Sequence, residues 1–240
     1  MFNDLRPINI FTGNFGSGKT EITLNFALEL HRLGQVVTVV DLDIINPYFR
    51  TRVVKDRLAT LGVDVVCPER RLMNADVPAL SPAIRGVIEG NRGYGVFDVG
   101  GGEIGTTVLG RFQKDLPAGA FHLFLVVNAC RPFTRDVEGI IRQMEGIERA
   151  ARLKVTALVS NTNLGPGTGI ETLRDGHRTV VQVAAKLGLP VAFAGVRREL
   201  AQSAQDLGVP VLPLDLYMKP PWLNGDNSLE ATEEGVIWQE

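Results

Sequence analysis

Cysteine is nearly absent. The chain of 240 residues has only Cys67 and Cys130, far apart and in no CxxC pair, so both are expected as buried or half-buried free thiols. Histidine is as scarce: His31, His122 and His177 are scattered, suggest no metal triad, and support no Ser-His-Asp arrangement. Charge of one sign is lacking too. The formal net charge is −2, which leaves no global basic field to gather nucleic acid or anionic lipid. No run approaches the roughly 18–20 apolar residues of a membrane span. The first residues, MFNDLRPINIFTG, lack a positive start followed by an apolar stretch, so no signal peptide is read and a cytoplasmic location is expected. No internal repeat and no low-complexity tract occurs.

What is present is apolar material in a regular rhythm. Hydrophobic residues make up 45% of the chain, enough for a large core in one α/β domain. Apolar runs fall at Ile8–Phe11, Val36–Leu42, Val63–Cys67, Tyr94–Val99, Ala120–Ala129, Val155–Ser160, Val191–Ala194 and Val211–Leu216. They are continuous rather than alternating, as expected of strands buried on both faces of a parallel sheet. Between them, Thr20–Leu33 carries Ile22, Phe26, Leu30 and Leu33 at helical spacing and is closed by Gly34. Asp136–Arg152 and Glu171–Leu187 read as helices as well. Strand–helix alternation predicts a doubly wound, mostly parallel sheet with helices on both faces. The domain is expected over residues 1–216. Residues 217–240, Pro-rich and then polar and acidic, are expected as a C-terminal arm that Trp222 and Trp238 pin to the body or to another subunit.

The sharpest motif is Gly13-Asn14-Phe15-Gly16-Ser17-Gly18-Lys19-Thr20, which satisfies G-x-x-x-x-G-K-[ST] between an apolar strand and an amphipathic helix. Its glycines let backbone N–H groups turn inward around phosphate oxygens, and the helix N-terminus adds partial positive charge. Lys19 is placed on the β and γ phosphates, and Thr20 on Mg²⁺. Two aspartate stations follow. Asp41 and Asp43 end the second apolar run and point to one side if the strand persists, where both can face the metal and the γ-phosphate. The first two strands are expected to be near neighbours. Asp98, at the end of Tyr94–Val99 and before Gly100-Gly101-Gly102, suits a Walker-B role toward Mg²⁺. The glycines after it can bring a backbone N–H to the γ-phosphate.

The base-reading end is Ser160-Asn161-Thr162-Asn163. A guanine site would have N/T-K-x-D here, but Thr162 and Leu164 stand where the Lys and Asp would. ATP is therefore expected rather than GTP, with Asn161 on the adenine edge and Thr162 beside it.

Taken together, the phosphate loop, V-D-x-D, F-D-x-G-G and the strand-end Asn resemble the MinD/ParA/CobQ branch of P-loop ATPases, the SIMIBI class. That group includes the nitrogenase iron protein and carbon-monoxide dehydrogenase maturation ATPases. The resemblance runs from Ile8 to about Leu216. It implies an ATPase with Lys19 and Thr20 on phosphate and Mg²⁺, Asp43 near the attacking water, Asp98 in the Walker-B role and Asn161 on adenine. The signature lysine of that branch is replaced by Asn14, so Arg50, Arg52, Arg131 and Arg135 become candidate cations; Ile44–Arg52 corresponds to switch I. The stretch directly after Asp98, VGGGEIGTTVLGRF, has no cysteine, and Cys130 sits at another strand end, so no bridging iron–sulfur cluster is expected.

Three functions remain open. The first is a nucleotide-switch ATPase acting on a partner protein, with an ATP-dependent homodimer. The second is an ATP-dependent small-molecule kinase or ligase of the dethiobiotin synthetase type. The third is ParA-like or MinD-like positioning, disfavoured by an acidic tail without a basic amphipathic face.

Overall fold

The computed structural model describes residues 5–43, 55–67, 82–89, 93–117 and 119–218. The expected switch segment Ile44–Arg52, with Arg50 and Arg52, lies outside them, as do Trp222 and Trp238.

All eight predicted strands form. They are β1 (Ile8–Gly13), β2 (Val37–Leu42), β3 (Asp64–Val66), β4 (Tyr94–Val99), β5 (Phe121–Val127), β6 (Ala157–Ser160), β7 (Val191–Arg197) and β8 (Val211–Leu214). Every pairing is parallel, in the order β3-β2-β4-β1-β5-β6-β7-β8. The fold is thus the expected doubly wound α/β sheet. Its order changes one expectation: β1 and β2 are not neighbours, because β4 lies between them. The register sets Asp41 beside Asp98 and Phe11 on the other side of Asp98.

The helices seal both faces. α1 (Lys19–Arg32) and α2 (Lys55–Thr60) cover one face, where Ile22, Phe26, Leu30 and Leu58 join Val39, Val96, Phe124 and Phe193 in one buried cluster. Four rings cluster there, with Phe11 stacked on Phe124 at 4.9 Å and Phe26 on Phe193 at 5.8 Å between centroids. α3 (Pro82–Ile88), α4 (Gly102–Phe112), α5 (Val137–Ala151) and α6 (Ile170–Leu187) supply Ile84, Leu109, Ile140, Ile147, Val180 and Val183 to the other face. α5 begins at an Asp136 cap, whose carboxylate accepts from the Gly139 N–H at 2.8 Å.

Glycine-rich α4 was not legible in the sequence. It forms where Gly105 packs against the backbone of Gly100 and Gly110 against the carbonyl of Ala150, contacts a side chain would block. The first residues of the expected arm are docked. The amides of Tyr217 and Met218 donate to the Glu21 carboxylate of α1, at 3.0 and 2.7 Å. Burial raises the Glu21 pKa, and these two amides oppose that shift.

Candidate functional site

β1 delivers the chain into the loop Gly13–Gly18, and α1 starts at Lys19. Gly16 and Gly18 have φ of 74° and 82°, a region open to glycine at little cost. A side chain at Gly13 would stand 2.7 Å from Ser17 Oγ, and one at Gly18 would collide with Asn161 Nδ2. The helix has no side-chain cap at Gly18, so its first N–H groups remain available to an anion. Ser17 Oγ is buried with no protein partner among the described residues. A cradle with these features fits a phosphate chain. Gly18→Ala is expected to destabilise the protein by about 1–3 kcal/mol, from left-handed backbone strain plus the clash with Asn161. Urea unfolding of the ligand-free protein measures this.

Lys19, Thr20, Asp41, Asp43 and Asp98 are brought together and all are buried. Lys19 Nζ lies 3.1 Å from Asp43 Oδ2. The Thr20 hydroxyl donates to Asp98 Oδ2 at 2.7 Å. The Asp43 N–H donates to Asp41 Oδ1 at 3.0 Å, so Asp41 holds the first residue after β2. Burial pushes the Asp98 carboxyl up to about 7; Lys19 opposes the shift, Asp41 adds to it, the Thr20 hydrogen bond opposes it and Asp43 adds to it. The Thr20 hydroxyl and the Asp98 carboxylate, side by side in a buried pocket, are groups to which a divalent cation could bind, and its charge would offset the cost of burying the carboxylate. Thr20 and Asp98 are the residues that would hold magnesium, with Asp41 adjacent.

The glycine run after Asp98 meets the loop. A side chain at Gly101 would lie 3.0 Å from the Phe15 nitrogen, and one at Gly100 would lie 3.2 Å from Asp43 Oδ1. The backbone of 100–101 therefore runs directly beside both the phosphate loop and the Lys19–Asp43 pair.

Asn161 and Thr162, the expected base-reading residues, both make contacts within the protein. Asn161 is buried and its Nδ2 donates to the Ser17 carbonyl at 2.7 Å, which braces the phosphate loop from behind. Thr162 is turned inward: its hydroxyl accepts from the Ala129 N–H at 3.3 Å, and it packs so closely on Gly176 of α6 that no β-carbon fits there. The Thr162 side chain thus fills the gap between sheet and helix. Asn14 bonds its own neighbour, accepting from the Phe15 N–H at 2.8 Å, and Phe15 is exposed.

Two residues at the end of β5 join the loop. Arg131, a candidate cation, donates from Nε to the Gly16 carbonyl at 3.0 Å. Asn128, which the sequence reading did not single out, donates from Nδ2 to the same carbonyl at 3.3 Å. Its one sequence signal is a polar residue ending a run of apolar ones, which is too common to weigh alone. Arg135 instead lies 3.6 Å from the Asp136 carboxylate. Among the described residues no group of three or more His, Cys, Asp or Glu side chains has the arrangement of a metal cage, and no helix is long and apolar enough to cross a membrane.

No protein-family model matches the sequence, and no curated protein does. Solved structures do match in shape. The signal recognition particle receptor FtsY of Elizabethkingia anophelis, solved with GDP, superposes over 80% of this chain and 57% of its own, with TM-score 0.52 and 20% identity. Chloroplast FtsY of Physcomitrella patens gives 82% and 61%, TM-score 0.54 and 21% identity. FtsY of Thermotoga maritima gives 81% and 63%, TM-score 0.54 and 17% identity. The chain thus spans about three-fifths of the length of these structures. At such identities the likeness shows the fold alone, the doubly wound parallel α/β sheet described above.

Proposed function

We propose that this protein is a magnesium- and ATP-dependent nucleotide switch of the MinD/ParA/CobQ type, hydrolysing ATP and acting on a partner protein. The observation that carries the reading is the buried Lys19–Asp43 pair beside Thr20–Asp98 at the mouth of an uncapped, glycine-lined loop. Lys19 is held by Asp43. A triphosphate offers the ammonium a stronger partner, which releases Asp43 to orient a water molecule for attack. Thr20 and Asp98 hold the metal, which when bound neutralises charge on the phosphates. Freed from Lys19, Asp43 and the adjoining 100–101 backbone change position together, and that change is the switch.

The preference for ATP rests on the absence of N/T-K-x-D at 161–164. The GDP belongs to the Elizabethkingia structure and does not decide the base here. Asn161 contributes to the base through the atoms its loop brace leaves available. Of the four candidate cations, Arg131 is the one with a place on the phosphate loop. Phe15, Ile104 and Phe133 are exposed and follow the C-terminal ends of the neighbouring strands β1, β4 and β5, where an ATP-dependent homodimer or a partner protein would sense the switch.

Calorimetry with Mg-ATP and Mg-GTP, followed by light scattering on the same samples, tests the reading. ATP bound at least tenfold more tightly than GTP, with a shift from monomer to dimer, is expected. ATP binding by a persistent monomer whose turnover requires a small-molecule substrate would favour the kinase or ligase reading. Binding of neither nucleotide would overturn the proposal.

A further inference from the structure

Asn128 is completely buried at the end of β5, and its side chain is hydrogen-bonded at every position it offers. Nδ2 donates to the Gly16 carbonyl at 3.3 Å and to the Asn163 carbonyl at 3.0 Å. Oδ1 accepts from the Cys130 N–H at 3.0 Å and the Asn163 N–H at 3.1 Å. Its own carbonyl is held by the Thr134 hydroxyl at 2.7 Å. One amide thus ties together the phosphate loop, the turn after β5 and the turn after β6. The β6 turn is linked to the loop a second time, through Asn161 Nδ2 on the Ser17 carbonyl, while Asn163 Nδ2 donates to the Asn161 carbonyl at 2.9 Å.

Backbone carbonyls of a phosphate loop point outward so that its N–H groups can point inward. Whatever grips the carbonyls of Gly16 and Ser17 therefore sets the aim of the N–H groups. We propose that Asn128 is a positioning residue for nucleotide binding: it fixes the phosphate loop through Gly16 and locks it to the turn at Asn163, so that base-side and phosphate-side contacts are made as one unit. The inference rests on the nucleotide-site reading above.

The test is calorimetry with Mg-ATP and with magnesium tripolyphosphate, on wild type, Asn128→Ala, Asn128→Asp and Lys19→Ala, well below each melting transition. Asn128→Asp keeps the volume and both accepted bonds but faces the Gly16 and Asn163 carbonyls with an oxygen, so it removes the donated bonds without opening a cavity, while Asn128→Ala, which brings no charge, separates their loss from repulsion of the phosphates. Val180→Ala, in the buried face of α6, is the control for lost stability without contact to the loop. Both Asn128 variants are expected to bind ATP about tenfold more weakly, the equivalent of one lost hydrogen bond to the loop. Tripolyphosphate affinity should fall alongside, and Val180→Ala should leave both unchanged. If wild type binds and Lys19→Ala does not, yet both Asn128 variants stay within twofold of wild type, the positioning role is overturned while the nucleotide site stands. If Val180→Ala weakens binding as much as Asn128→Ala, the effect is stability alone and the role is again overturned. A wild type that binds neither ligand overturns both readings.

Discussion

Lys19→Ala should abolish usable nucleotide affinity, weakening Mg-ATP binding by about two to three orders of magnitude, and should destabilise the ligand-free protein as well. The two effects have separate causes. Binding falls because the only cation in the loop is removed from the phosphates, where a charge-assisted contact in a sheltered site is among the strongest available. Stability falls because Asp43 loses a partner 3.1 Å away while both groups are almost wholly buried. Removing one member of such a pair leaves an uncompensated charge, which costs about 3–5 kcal/mol. Calorimetry at low temperature and chemical unfolding read the two effects independently. Retained affinity in Lys19→Ala would remove the phosphate role; unchanged stability would show that the pair with Asp43 carries no net weight.

The second large effect concerns Asp98. Its folded value of about 7 lies above the ordinary 3.8, so between those two values the folded chain holds more protons than the unfolded one. Stability supported by the protonated form is therefore full at low pH, is lost as pH rises from about 4 to about 7, and stays lost above that. Asp98→Asn removes the charge that burial penalises, and its side-chain oxygen can still accept from Thr20. The variant is expected to be more stable than wild type above pH 7 by something on the order of 2–4 kcal/mol, with the advantage vanishing near pH 4. Its magnesium-dependent ATP turnover is expected to fall at least a hundredfold, because the carboxylate that would hold the metal is gone. Thermal melts across pH, paired with phosphate release, check both halves. A variant no more stable at pH 8 than wild type would mean that the carboxylate is compensated in the folded protein.

The outcome divides along physical lines. Buried parallel strands are written in continuous apolar runs, so all eight were legible, and the phosphate loop was legible because its chemistry requires glycines at fixed spacing. The order of the strands was not. Whether β4 enters between β1 and β2 depends on contacts far apart in the chain, and no local pattern encodes it. Helix α4 was missed for a related reason. Gly-Glu-Ile-Gly-Thr-Thr-Val is poor in helix formers, and the segment is helical because close packing on Gly100 and α5 overrides propensity. Asn161 was correctly singled out as a strand-end polar residue, but its amide turns to the Ser17 carbonyl, a contact that needs β6 and the loop in three dimensions. Asn128 was invisible for the same reason.

The clasp between Glu21 and the amides of Tyr217 and Met218 has a practical consequence. Both tryptophans of the chain, Trp222 and Trp238, come after it, and none comes before. Light absorbed selectively by tryptophan is therefore emitted from the segment beyond Met218 alone, while the sheet and its helices stay dark. The clasp is fastened one residue past Thr20, at the helix turn that carries Lys19. The protein thus carries a built-in optical probe that reports on the segment after the clasp and needs no added dye.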